Sequence, residues 1–115
     1  QLGVDAHWRD PLTHLALTTH GFERLFQRLH ALSPRWLALG GGGYERDVVP
    51  RAWALAWGVM SGQTFPNVLP DTVAHKYDAP VLHDTQAAPF TGWEREQARR
   101  AAERTVAEVQ RLLGL

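Results

Sequence analysis

The fold is decided by the stretch RWLALGGGGY, residues 35–44. Its first half is a short apolar run that comes after a predicted helix, and such a run is typical of a buried parallel strand. The four glycines that follow argue against a regular element, because glycine loses more backbone entropy on folding than alanine does, by about 0.5–1 kcal/mol. The stretch therefore predicts a strand over 35–39, a loop over 40–43 and Tyr44 directly after that loop.

A second strand is predicted at residues 1–5, where an apolar pattern ends at Asp5. Parallel strands place their carboxyl ends at one edge of the sheet, and ligands of open α/β sheets bind beyond that edge. We therefore expect Asp5 and Tyr44 to lie at the same edge. Taken alone, Asp5 could equally be a helix cap or a turn former, and Tyr44 could be an aromatic ring that covers the glycine turn.

Helical spacing of apolar residues and local start signals predict further elements. The predicted helices span 19–32, 47–60 and 93–113, with a short helical turn at 71–77. Thr18 or Thr19 would cap the first helix and Ser33-Pro34 would end it. Asp47 would cap the second. The alternation of strands and helices predicts an α/β fold with parallel strands.

The second predicted helix is apolar almost all round, so it is expected to be buried on most sides. Trp53 and Trp57 are accordingly predicted to belong to the core. Arg51 on the same helix is predicted to be a buried ion-pair partner that holds a loop. The six histidines are predicted to be surface or structural residues rather than metal ligands.

Composition bounds the possible functions. The chain has 115 residues with 12 basic and 12 acidic side chains, so it carries no net charge and shows no basic face for nucleic acid. No apolar run approaches the ~18 residues of a membrane span. The absence of cysteine excludes disulfides and thiolate metal sites, and it is compatible with the cytosol.

The glycine run has two interpretations. It could cradle a phosphate at the start of a helix, but the G-x-x-x-x-G-K-[ST] pattern is missing and no lysine is near. Alternatively, it forms a turn that lets the Tyr44 hydroxyl point into a pocket.

Five short motifs, taken in order, resemble the histone deacetylase superfamily, in particular its bacterial acetoin-utilisation type. They are Gln1-x-Gly3-x-Asp5, Asp10-x-Leu12, Leu17-Thr18-x-x-Gly21, Leu39-Gly40-Gly41-Gly42-Gly43-Tyr44 and Val49-x-Arg51-x-Trp53. The resemblance implies that residues 1–115 are the C-terminal third of a single catalytic domain whose N-terminal part is absent. The implied fold is the C-terminal part of a three-layer α/β/α parallel-sheet domain.

The resemblance also implies a chemistry. It implies a cytoplasmic, zinc-dependent amidohydrolase that removes acetyl groups from lysine side chains of proteins. Asp5 matches a zinc ligand and Tyr44 matches the tyrosine that stabilises the oxyanion, while Leu12, Gly42 and Gly43 match the substrate pocket. The remaining zinc ligands and a histidine pair are expected upstream, so the isolated chain is expected to be inactive.

Partners follow from the same interpretation. The N-terminal remainder of the domain and acetylated lysine are the expected partners, and self-association through an exposed sheet edge is possible. No nucleic acid or membrane is expected. Two other functions stay open: deacetylation of small acetylated amines such as acetylpolyamines, and a non-catalytic module that binds a partner.

Overall fold

A computed structural model describes residues 1–33 and 35–115, and four helices lie within those ranges. They are α1 (Thr19–Leu32), α2 (Val48–Ser61), α3 (Asp71–Tyr77) and α4 (Gly92–Leu113). All four were predicted from the sequence to within a residue or two, because apolar spacing and capping residues are local signals.

Helix α1 begins where the sequence predicted. Thr18 has extended backbone angles, and its hydroxyl accepts a hydrogen bond from the Gly21 amide at 3.3 Å, so it is the N-cap. The helix ends at Leu32, and Ser33 is extended. The predicted stop at Ser33-Pro34 falls partly outside the described residues, since Pro34 is not among them.

Helix α2 begins after Asp47, but the predicted cap is wrong. Asp47 has helical backbone angles and its side chain makes no capping bond. Its carboxylate instead binds the guanidinium groups of Arg51, at 2.8 Å, and of Arg9. The Asp47 carboxylate therefore pairs with a charged residue one turn away instead of accepting hydrogen bonds from the free amides of the first turn.

The core lies where α1 packs against α2. It is built from Val4, Phe22, Phe26, Ala52 and Ala56. The opposite side of α2 is open: Trp53 is 41 % and Trp57 is 60 % exposed, so the prediction that both belong to the core is wrong. An apolar helix was expected to be covered all round, whereas the described chain covers only one face of it.

The predicted α/β class is wrong for this structure. No sheet forms in the described residues, and the three-layer parallel-sheet arrangement is absent from them. One backbone hydrogen bond joins the two segments expected to be strands, from the Leu2 amide to the Leu39 carbonyl (2.8 Å), and a second runs from the Val4 amide to the carbonyl of Gly42 in the predicted loop (2.7 Å).

The register of these two bonds explains why no ladder develops. A regular parallel pair advances by two residues on both segments from one such bond to the next. Here the first segment advances by two residues while the second advances by three, so an extra residue of the glycine run breaks the repeat. The segments are joined by these two bonds, but they are not the parallel strands that the sequence predicted.

An apolar groove of about 350 Å³ remains on the outside of the 36–40 segment. It is lined by the side chains of Leu2, Leu37, Leu39, Trp53, Trp57 and Met60, among others. The sheet edge through which self-association was expected does not form in the described residues, and self-association itself stays a prediction.

Helix α4 stands apart from the other helices of the described chain. Its apolar stripe is exposed, including Val106, Val109 and Leu113. The described part of the chain holds no helix long and apolar enough to cross a membrane.

Candidate functional site

Asp5 lies at the end of the first segment with its carboxylate against the glycine turn. A Cβ atom placed on Gly42 would be 2.0 Å from Asp5 Oδ2, so that oxygen occupies the space a side chain at position 42 would need. The Asp5 carbonyl accepts a hydrogen bond from the Thr13 hydroxyl. The backbone and the side chain of Asp5 therefore contact two different loops.

Gly43 makes the turn that leads into Tyr44. Its φ is +144°, a conformation that side chains strongly disfavour, and a Cβ on it would lie 2.7 Å from Val4 Cγ2. Tyr44 follows with its side chain 56 % exposed, so the ring does not cover the turn as a packed aromatic would. Tyr44 is therefore an exposed residue that does not belong to the core.

Asp10 connects the two loops that carry Leu12 and Tyr44. Its Oδ1 accepts the Leu12 amide at 2.9 Å, and its Oδ2 accepts the Tyr44 amide at 3.0 Å. Burial of Asp10 opposes ionisation, but the hydrogen bonds from these two amides outweigh it and hold the pKa of the carboxyl below its usual range. Asp10 is thus an ionised carboxylate that only accepts hydrogen bonds.

The predicted site residues therefore form two groups, and the residues within each group are in contact directly or through Asp10. Asp5 lies on Gly42, and Leu12 is joined to Tyr44 through Asp10. Leu12 is 65 % exposed, so its side chain is accessible to a ligand. Gly42 leaves the space that the Asp5 carboxylate occupies, and Gly43 provides the positive φ of the turn before Tyr44.

A buried ionic network lies behind the site. Asp84 accepts hydrogen bonds from His7 Nε2 (2.8 Å) and from the Arg51 guanidinium (2.9 Å). Arg51 reaches on to Asp47, so it is the buried ion-pair partner that the sequence predicted. Asp84 also accepts the Thr19 amide at 2.8 Å, which ties the network to the first turn of α1.

The sequence did not reveal two of these residues in their roles. Asp10 was noted only as a turn residue and as part of a motif, and its offset of two from Leu12 is the one local signal of its hydrogen bond. Asp84 lies in the irregular region 62–91, where no periodicity or motif singles it out. His7 was predicted to be surface or structural, and it is fully buried against Asp84.

The described residues provide an incomplete set of metal ligands. Within residues 1–33 and 35–115, no group of three or more His, Asp, Glu or Cys side chains could hold an ion. A catalytic zinc needs three protein ligands, and carboxylate oxygen is one accepted type. Asp5 fits as one such ligand, but the described chain does not form the site by itself.

Comparison with known proteins defines the class. The model of the histone deacetylase domain matches residues 1–60, just over half of the chain. The chain therefore belongs to the histone deacetylase family, and the resemblance of its motifs is confirmed.

Individual relatives make the similarity more specific. The chain is 47 % identical to the acetoin utilization protein AcuC of Bacillus subtilis over 68 residues. This matched stretch is 54 % of this chain and 18 % of that protein. The chain is 43 % identical over 58 residues to AcuC of Staphylococcus aureus, covering 45 % and 15 %. Histone deacetylase 9 of Arabidopsis thaliana is 31 % identical over 80 residues, covering 70 % and 19 %. The chain spans less than a fifth of the length of these relatives.

Proposed function

We propose that this chain supplies one metal ligand and the oxyanion donor of a cytoplasmic, zinc-dependent deacetylase that hydrolyses acetyl-lysine amides in proteins. The proposal concerns the full-length protein, since the chain spans only 18 % of the B. subtilis relative. Beyond membership of the family, one observation supports the proposal. The Asp5 carboxylate lies against Gly42, which is two residues before Tyr44. The turn that the Asp5 carboxylate contacts therefore leads directly to the exposed Tyr44 side chain, which supports the proposal.

The chemistry follows from these two groups. The Asp5 carboxylate would hold zinc together with ligands from outside the described chain, and bound zinc supplies polarisation of the acetyl carbonyl. The Tyr44 hydroxyl would donate a hydrogen bond to the carbonyl oxygen as negative charge develops on it. Leu12 would contact the methylene chain of the acetylated lysine, because its side chain is apolar and exposed near the Tyr44 loop.

Replacing Tyr44 by phenylalanine in the full-length protein tests the role of the hydroxyl. Since the ring is exposed and the Asp10 bond uses the backbone amide, Tyr44→Phe should leave melting temperature and metal content unchanged. The kcat on an acetyl-lysine peptide should fall by about 10²–10³-fold, the loss expected for one oxyanion donor. The KM should change much less, because this bond strengthens mainly in the transition state.

Tyr77→Phe is the matched control, since Tyr77 is the other tyrosine, lies in α3 and lines a small cavity together with Pro50 and Leu69. It should retain normal kcat. Normal turnover by Tyr44→Phe would exclude Tyr44 from the mechanism. A higher kcat/KM on an acetylated polyamine than on the acetyl-lysine peptide would replace the protein substrate with a small amine.

A further inference from the structure

The segment that carries Tyr44 is held from one side by two adjacent residues, Arg9 and Asp10. Asp10 is 7 % exposed and accepts the Tyr44 amide at 3.0 Å. The Arg9 guanidinium forms ion pairs with Glu45, at 3.2 Å, and with Asp47. The dipeptide Arg9-Asp10 therefore holds three of the residues 44–47, namely Tyr44, Glu45 and Asp47.

Asp10 also fixes its own loop. Its other oxygen accepts a hydrogen bond from the Leu12 backbone amide at 2.9 Å. One carboxylate therefore binds the backbone amides of two residues, Leu12 and Tyr44, whose side chains are exposed. These residues are 32 positions apart in sequence. Together with the ion pairs of Arg9, this carboxylate connects the two loops directly.

An ionised carboxylate is the group that this arrangement requires. It offers acceptor lone pairs on both oxygens, whereas an asparagine amide offers one acceptor oxygen and one donor nitrogen. An asparagine at position 10 would therefore leave the amide of Leu12 or that of Tyr44 without an acceptor in a buried place. Hydrogen bonds from backbone amides to a charged acceptor are also stronger than neutral ones.

The geometry points to Asp10 as a positioning residue, which holds Tyr44 at a fixed distance from Leu12 and thereby sets the turnover of the site. This inference rests on the proposed function, since it assumes that the Tyr44 hydroxyl acts on the substrate. Asp10 itself does not touch the substrate. It acts through the backbone of the two residues that do.

A double-mutant cycle in the full-length protein tests the inference. Asp10→Asn should lower kcat on an acetyl-lysine peptide by about 10–100-fold, the range expected when a catalytic group is misplaced by about 1 Å. In the Tyr44→Phe background the same substitution should lower kcat by no more than about threefold, because the hydroxyl it positions is already gone. The KM should rise in both backgrounds, since Leu12 is released in both.

Hydrogen exchange gives a readout independent of activity. The amides of Leu12 and Tyr44 should exchange faster in Asp10→Asn than in the parent protein, because they have lost their acceptor. Asp71→Asn, an exposed aspartate in α3, is the matched control and should change neither exchange at these amides nor kcat. If Asp10→Asn does not fold, Arg9→Met is measured instead and should speed exchange at residues 44–47.

The outcomes separate the two proposals. Unchanged exchange at Tyr44 in Asp10→Asn overturns the positioning role whatever the activity is. An equal loss of kcat in both backgrounds also overturns it, because that loss would come from general destabilisation. Full turnover by Tyr44→Phe overturns the proposed function together with the effect of Asp10 on turnover, while the exchange rates still decide whether Asp10 holds the turn.

Discussion

Gly42 leaves room for a carboxylate. A Cβ at this position would lie 2.0 Å from Asp5 Oδ2 and 2.5 Å from Asp5 Cγ, which is far inside van der Waals contact. The space is therefore used by the side chain that the proposed function needs most. The neighbouring Gly43 adds a second requirement, since its φ of +144° disfavours any side chain and a Cβ there would also lie 2.7 Å from Val4 Cγ2.

We expect Gly42→Ala in the full-length protein to displace the Asp5 side chain, because the new methyl group and Oδ2 cannot occupy one place. Zinc retained after dialysis should fall, and turnover should fall with it by about 10-fold or more, since outer contacts that orient a ligand typically carry 10–100-fold. Gly92→Ala is the control: a Cβ there meets nothing within 4 Å, and alanine suits the start of α4. Full zinc content in Gly42→Ala would show that the Asp5 carboxylate is not a ligand.

The role of a residue could be predicted from the sequence more readily when its partners lie nearby in the chain. Arg51 was predicted as a buried ion-pair partner because a charge on an apolar helix must be paired. Asp47 was misassigned as a cap, since its i,i+4 pairing with Arg51 was not considered and nothing local indicates that Arg9 also reaches it. Asp5 and Tyr44 were predicted at the same edge of a sheet that does not form in the described residues, and their catalytic roles stay predictions.

Among the elements, helices could be predicted and strands could not. The boundaries of α1 and α4 follow from Thr18 and Thr91, whose caps involve residues three positions away. A strand requires a partner in register, and the glycine run inserts an extra residue between the two bonds that join its neighbours. Apolar composition alone predicted those strands, and it contains no information on register.

Helix α4 is held mainly by its own interactions. Thr91 and Glu94 form a complete capping box, and Glu96 pairs with Arg99 and Arg100 along the exposed surface. Exposed ion pairs of this kind contribute little because water screens them, whereas an N-cap side chain contributes about 1 kcal/mol. The capping box is therefore the strongest single contribution to the first turns of α4.

Thr91→Ala should consequently loosen α4 without affecting the core. Amide exchange over residues 92–97 should speed up by about fivefold, as a local loss of about 1 kcal/mol implies. The melting temperature should stay within about 1 °C, because α4 does not pack on the other described helices. Thr72→Ala, inside the first turn of α3, serves as the comparison. A large fall in melting temperature for Thr91→Ala would mean that α4 packs on a surface outside the described chain.

At the scale of the whole molecule, the ionic network around Asp84 joins parts that are far apart in sequence. Asp84 is 77 residues from His7 and 33 from Arg51, and its side chain is 7 % exposed. No sequence pattern could place it there, because the contact exists only after α1, α2 and the 78–86 segment have packed. The same holds for the class of the fold, which the apolar runs indicated incorrectly.

The network makes a prediction about acid stability. Burial of Asp84 opposes ionisation, but the hydrogen bonds from His7, Thr19 and Arg51 outweigh it and hold the pKa well below the ordinary aspartate value of 3.8. The folded state therefore binds the Asp84 proton less tightly than the unfolded state does. The stability contributed by this carboxylate is fully present above the ordinary value and is lost as the pH falls below it toward the folded-state pKa.

Asp84→Asn should accordingly destabilise the protein at pH 7, by about 3 kcal/mol, because Arg51 is left buried without one of its two carboxylates. The difference in free energy of unfolding between parent and variant should shrink steadily from pH 5 to pH 2, since the parent loses its carboxylate charge and the variant has none to lose. Asp78→Asn is the control: its positive φ of 53° suits asparagine and its side chain is exposed, so it should follow the parent at every pH. Denaturant unfolding at several pH values measures these curves. A constant difference between parent and Asp84→Asn down to pH 2 would show that the carboxylate charge does not stabilise the network.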